Sequence, residues 1–413
     1  MATARYVALL VLAPLIAAPA ACQLAVHTEP QRPASGAASA APQGKRGPGV
    51  PAFWVRPGYR VDLVAENLAD ARFLEFDDRG TLYLSRPGSG DILALRQRGG
   101  RWAVANTFVS GRPTVHGLCF RDGWLWFTQT GSIHRGRDTN GDGKADEVVT
   151  VIADGKLPRG GGHWWRSILV TADSIYTSIG DSGNITDETA TDRQKVWQFD
   201  KQGGNPRLLA AGVRNNEKLR LRPGTNEVWG VDHGSDWYGR PIGDRQGRQP
   251  ITDFNPPDEF NRYAGGAFYG HPFVTDRRLP RVEYYSRPDI VELAERTVVP
   301  EWSFGAHWAA NAFTFLTKPH FGADHVGDAF VACRGSWNRR EMAGYRVERV
   351  LFDEVTGKPY GSLMIVGTLV GGQVLARPVD CAEAPDGSVF FSCDTTHRIY
   401  RISKDTGASG AAR

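Results

Sequence analysis

The stretch GGGHWWRS at residues 160–167 sets three consecutive glycines before His163, Trp164, Trp165 and Arg166. The glycines leave the backbone free to take conformations that side chains forbid. After them come a base that titrates near neutral pH, two large flat faces and a permanent cation. Such a set could take a proton from a hydroxyl held against an apolar platform. Two other stretches carry comparable groups: Arg214 and Asn215 within 209–216, and Arg377 and Asp380 within 371–380. Singly, each has a plain structural use. A lone His is commonly hydrogen-bonded inside a fold, and an Arg before a strand commonly pairs with a carboxylate.

A fourth stretch, DTNGDGKADE at 138–147, places Asp138, Asn140, Asp142 and Asp146 at positions 1, 3, 5 and 9 of a loop, with Gly143 at position 6. This is the first part of a calcium loop of the EF-hand type, in which alternate side chains turn inward as oxygen ligands. Residue 12 is Val149, so the bidentate Glu is missing. The expectation is a shortened loop binding Ca²⁺ through Asp138, Asn140, Asp142, Asp146 and the carbonyl of Lys144, with a structural role. The alternative is a polar hairpin tip that needs no ion.

The elements that must position these groups are strands. Six segments repeat one pattern of apolar strand, Asp/Asn/Gly turn and second apolar strand with an aromatic: 72–86, 116–130, 166–181, 217–234, 305–335 and 379–394. Third strands such as DILALRQ, SIHRGR, KVWQFD and HRIYRIS follow several of them. Repeats of strands alone, irregularly spaced around a large insertion across 236–305, predict an all-β, six-bladed β-propeller over residues 52–405. The segment 59–67 is expected to close the ring as the outer strand of the last blade. A pair of β-sandwiches competes, but no linker divides the chain. In a propeller, the loops entering the innermost strands share one channel mouth. The stretches 158–166, 209–216 and 371–380 all precede such strands, so their polar groups would converge on one small, polar or anionic ligand.

Composition sets the outer limits. The 413 residues are 41% hydrophobic, with 12 Trp and 48 Gly, which suits many short strands and tight turns. A net charge of +4 without a long Lys/Arg block gives no argument for nucleic acid. Residues 1–21 carry Arg5, an apolar run too short to span a membrane and then small residues, the pattern of a secretory signal. Cys22 follows as a lipid-modified cysteine would, although Pro19 stands where such signals carry Leu; lipidation and ordinary cleavage both remain open. Residues 22–51, rich in Ala, Pro, Ser and Gly, read as a flexible tether, and 406–413 as a tail. The protein is therefore expected outside the cytoplasm, periplasmic or anchored to the bacterial envelope through that lipid. Cys119, Cys333, Cys381 and Cys393 form no CxxC pair, which argues against zinc. Cys381 and Cys393 flank the turn PDGS symmetrically and would face each other across a hairpin, as a disulfide or as two buried thiols.

Five stretches in order, HWWRSI with YTSIGDSGN, AAGVRNNEKL with EVWGVDHGSD, PPDEFNRYAGGAFYGHPF, GDAFVACRGSWNR and ARPVDCAEAPDGSVFF, resemble the soluble quinoprotein glucose/sorbosone dehydrogenases. Those are six-bladed propellers that use pyrroloquinoline quinone (PQQ) and Ca²⁺. The resemblance spans most of residues 52–403. It implies His163 as catalytic base, Arg214 and Asn215 against the quinone, and the backbone of Gly234 and Ser235 around the cofactor's Ca²⁺. It implies Arg377 as the first of two arginines on the cofactor's carboxylates, and Arg339 in the region of a cofactor-binding lysine; Arg166, in the same stretch as His163, is expected to bind the cofactor with them. The chain departs from the pattern at Val379, where the second arginine is expected, and at RNNEKLR, where Pro usually follows Arg-Asn. The implied activity is oxidation of a sugar or related alcohol, with a separate electron acceptor. A non-catalytic propeller binding carbohydrate or a protein at the cell surface competes, as does a hydrolytic lactonase, for which no carboxylate set around a channel metal is evident.

Overall fold

The computed structural model describes residues 43–99, 101–239 and 250–407. The proposed signal, Cys22, most of the tether and the last six residues lie outside them. Six small sheets form the six-bladed propeller. Their innermost strands are Leu74–Phe76, Leu118–Arg121, Leu169–Val170, Asn216–Leu221, Ala310–Phe315 and Pro378–Glu383. Each is followed outward by antiparallel strands, as the repeat predicted, with long connections in blades 3 and 4.

Tyr59–Ala65 pairs antiparallel with Arg398–Lys404 and closes the last blade. Lys45–Arg46 then adds in parallel to Arg60 and Val61. Folded structure therefore begins inside the stretch read as tether. The tether's composition hid a two-residue edge strand, which is ordered by Tyr59–Ala65 and not by its own sequence. Two short helices, Ile251–Phe254 and Ile290–Arg296, lie in the insertion of blade 4. Among the described residues, no helix is long and apolar enough to cross a membrane.

A blade buries both faces against its neighbours, and the core is divided accordingly. Six apolar clusters lie one at each blade interface, such as Trp126, Ile168 and Ile175 between blades 2 and 3. A seventh packs the insertion. The channel is filled by charge. Lys218 Nζ donates to Asp380 Oδ2 at 2.6 Å, and the carboxylate also accepts the Leu74 amide. Asp380 is thus spent on sealing the axis. The four cysteines among the described residues, Cys119, Cys333, Cys381 and Cys393, are buried and unpaired. A register shift between Pro378 and Cys381 sets Cys381 opposite Phe391 and Cys393 opposite Pro378, so the two do not face each other as expected.

Candidate active site

The glycines of the opening stretch serve a close approach between two segments of blade 3. Gly160 and Gly161 take positive φ (69° and 85°). A Cβ on Gly161 would fall 2.6 Å from the Ser182 Cα. The loop can therefore lie along residues 181–183, with the Gly162 and His163 amides donating to the Ser182 and Asp181 carbonyls. The backbone the glycines meet is the segment just past the strand Ser174–Ile179. Gly180 completes the fit, since a Cβ there would sit 2.7 Å from His163 Cβ and 2.8 Å from the Arg214 carbonyl.

His163 Nδ1 lies 2.9 Å from the Asp181 carbonyl oxygen. A carbonyl can only accept, so Nδ1 carries the proton and Nε2 keeps its lone pair. Burial, then the charge of Arg214, holds the imidazole well below its usual pKa range. The ring is a neutral base at pH 7. It lines a cavity of ≈ 360 Å³ together with Arg214, Asn215 and Gly234, a size within the roughly 300–1,000 Å³ of small-molecule sites.

The Arg-Asn turn is fixed from below by Asp232, whose carboxylate accepts the Arg214 and Asn215 amides at 2.9 and 2.6 Å. The Arg214 guanidinium donates to the carbonyl of Asn184 and to its side-chain oxygen, and to the Gly234 carbonyl at 2.8 Å. Asn215 Nδ2 donates to His233 Nδ1, which leaves the His233 proton on Nε2, a buried atom with no partner. Asn338 Oδ1 is likewise buried and unsatisfied, and its residue also lines the cavity. Such orphans cost roughly 1–3 kcal/mol each unless a ligand or water meets them.

Several residues in this cavity were missed by the sequence reading. Arg72, Glu217, Asp236, Asp258, His307 and Arg334 line it. Arg72 Nη2 donates to Glu217 Oε2 at 2.6 Å, and its guanidinium lies 4.1 Å from the Trp165 ring. Burial alone would raise the Glu217 carboxyl, but Arg72 and then His116 outweigh it and hold it well below the usual carboxylate range. A signal for two of these existed. Arg72 and His307 precede the innermost strands of blades 1 and 5, the rule applied to only three blades. Trp165 lines the cavity and stacks on Trp164 at 3.7 Å, and both rings are half-buried. Neither ring belongs to the apolar core, because the two stack on each other in the loop.

Other predicted residues lie elsewhere. Arg166 is fully buried, and its guanidinium donates to the carbonyls of Pro158, His163 and Trp165. It braces the loop from behind and does not face the cavity. Arg377 donates to Tyr345 OH at 3.1 Å and to the Ser336 carbonyl, beside the cavity but not lining it. Arg339 donates to the Ala306 carbonyl, also outside the lining. Val379 is fully buried in the cluster shared by blades 1 and 2 and cannot replace the second arginine. Ser235 turns its hydroxyl toward Trp237 and Arg281.

The 138–146 loop is the hairpin tip between Ser132–Arg137 and Glu147–Ile152. Asp138 accepts amides of Gly141, Asp142 and Gly143 and pairs with Arg96 at 3.3 Å. Asp146 accepts from Thr139 and Asn140, Asn140 from the Asp142 amide, and Asp142 from that of Lys144. Among the described residues, no three His, Cys, Asp or Glu side chains gather as a metal set. A larger cleft of ≈ 520 Å³ between blades 1 and 6 contains none of the residues predicted for catalysis or cofactor binding.

Known proteins share this architecture. An AA12-family carbohydrate-active enzyme of Trichoderma reesei superposes with a TM-score of 0.73 at 19% identity, covering 86% of this chain and 98% of that one. The holo PQQ domain of pyranose dehydrogenase from Coprinopsis cinerea gives 0.74 at 18%, covering 87% and 100%. The apo soluble aldose sugar dehydrogenase of Escherichia coli gives 0.60 at 18%, covering 84% and 100%. At these identities the likeness is one of fold, and it is the fold implied by the quinoprotein resemblance. A protein of Borreliella burgdorferi described only as uncharacterized is 27% identical over 374 residues, 84% of this chain and 89% of its own length. The TrAA12-like family model matches residues 53–275 and 292–405, nearly the whole propeller, and the chain belongs to that family.

Proposed function

We propose that this protein is a PQQ-dependent oxidoreductase that oxidises a sugar or related alcohol, with His163 as general base. The observation that carries this reading is a neutral His163, with Nδ1 committed to the Asp181 carbonyl, in one cavity with Arg214, Asn215 and two further arginines. The donor set fits a polyanionic quinone. Arg72 is held by Glu217 and Asp394, and Arg214 by Asn184, Gly234 and Asp236, so Arg334, whose Nε donates to Asp394, is the arginine that would meet a carboxylate. The unpartnered Nε2–H of His233 supplies one more donor. When bound, PQQ supplies an electron sink able to accept hydride from an alcohol carbon. His163 Nε2 takes the hydroxyl proton as the carbon is oxidised, and the Nδ1–H bond to Asp181 holds the ring in the tautomer this requires. Trp165 and the exposed Trp337 give the cavity aromatic walls. Trp337 meets Trp237 edge-on at 5.4 Å.

Gly234 and Ser235 do not fit the cofactor's Ca²⁺. The Gly234 carbonyl already accepts from the Arg214 guanidinium, which would place one cation against another. The signal-like pattern of residues 1–21 supports export, with the electron acceptor outside the cytoplasm; the mass of the mature protein tests cleavage near Cys22.

The deciding experiment adds PQQ to purified protein with and without Ca²⁺, then adds sugars and follows the quinone absorbance. Binding followed by a sugar-dependent absorbance change supports the reading. PQQ that does not bind, or that binds and is never reduced, overturns it. Sugar binding without reduction would favour the non-catalytic reading, which the departures at Val379 and RNNEKLR favour.

A further inference from the structure

We propose a second ligand site, for an anionic saccharide, in the cleft between blades 1 and 6. It is built from the turns at 79–81 and 384–386, the hairpin around Gln97 and Trp102, and Arg401. Innermost strands run away from the channel mouth where His163 lies. The turns that follow the innermost strands of blades 1 and 6 therefore lie on the opposite face, and this cleft is separate from the candidate active site. Its ≈ 520 Å³ is enough for a sugar unit or two.

Its lining is cationic. Arg79, Arg96 and Arg401 stand against the single carboxylate of Asp386. Two of the guanidiniums are held in place before any ligand arrives. Arg401 donates to Ser388 Oγ at 2.8 Å and to Asp386. Arg96 donates to Thr81 Oγ1 at 3.2 Å, to the Gly141 carbonyl at 2.6 Å and to Asp138. Arg79 is exposed, and among the described residues its guanidinium makes no hydrogen bond or ion pair. It is the fork left to grip an anion in two-point fashion. The cleft also presents a half-buried indole. Trp102 packs edge-on against Phe390 at 5.3 Å and Phe76 at 6.0 Å, which fixes the ring while part of it stays in the cleft. An aromatic surface beside fixed and free guanidiniums and the Gln97 amide matches a pyranose ring that carries a carboxylate or a phosphate.

The test is calorimetric titration of the full chain, without cofactor and at low salt, with glucuronate, glucose 6-phosphate and glucose. Either anion should bind at least tenfold tighter than glucose, and raising NaCl from 50 to 300 mM should weaken it. Arg79→Glu should cut the anion's affinity more than tenfold without changing the melting temperature, and Gln97→Ala should cut it less. Glucuronate alone binding assigns a sugar acid, and glucose 6-phosphate alone a sugar phosphate; either supports the proposal. It is overturned if neither anion binds, if glucose binds as well as they do, or if Arg79→Glu leaves the affinity unchanged, which would put the anion in the channel cavity instead.

Discussion

Replacing Lys218 with Met tests how the propeller axis is held. Lys218 and Asp380 are 2% and 0% exposed at the side chain, with Nζ and Oδ2 2.6 Å apart. Burial pushes the lysine pKa down and the aspartate pKa up, so each depends on the other to remain charged. Removing one partner leaves an uncompensated buried charge, which costs about 3–5 kcal/mol. Unfolding entropy of roughly 2.1 cal/mol/K per residue, over about 350 folded residues, gives about 0.7 kcal/mol per kelvin. Lys218→Met should therefore lower the melting temperature by about 4–7 °C at pH 7.5 in scanning calorimetry. The sign with pH follows from Asp380, whose folded pKa is raised and rises further without the ammonium. Its protonated form is favoured in the fold, so stability is recovered as pH falls and lost as pH rises through the folded pKa; the deficit should shrink at pH 5. Lys218→Met with Asp380→Asn, which can still accept the Leu74 amide, should recover most of the loss. An unchanged melting temperature in the single variant, or a double variant worse than the single, would refute the reasoning.

His163→Ala should lower sugar oxidation by about 10²–10⁴-fold while PQQ titration remains unchanged. The acid limb of kcat/KM should lie below pH 6.5, because burial and Arg214 hold His163 neutral, and should move up in Arg214→Met. Gly180→Ala places a Cβ 2.7 Å from that of His163 and should cost about 1–3 kcal/mol of stability along with activity, read by melting and turnover together. Glu259, with its pKa raised to about 8 by burial and then by Asp232, binds a proton in the fold that the unfolded chain has released. Melting temperature should thus fall as pH rises from 5 to 8, and Glu259→Gln should flatten that slope. If the 138–146 loop binds Ca²⁺, a hundredfold excess over Kd adds about 2.7 kcal/mol, visible in melting and lost in Asp142→Asn with Asp146→Asn; calcium-independent melting would make it a plain hairpin tip.

The strand repeat determined the six blades and their closure by residues 59–67, because period-two apolar patterning and turn chemistry are local properties. It also determined that His163, Arg214 and Asn215 share one channel mouth, since every innermost strand enters from the same side. Whether a given side chain faces that mouth is a different matter. Arg166 and His163 are three residues apart, yet one is spent on carbonyls behind the loop and the other lines the cavity. Val379 and Asp380 are adjacent, yet one packs between blades and the other seals the axis. Such choices depend on which hydrogen-bond acceptors and apolar neighbours another blade brings within reach. Arg72 meeting Glu217 across 145 residues, or Lys218 meeting Asp380 across 162, is decided only when the ring closes.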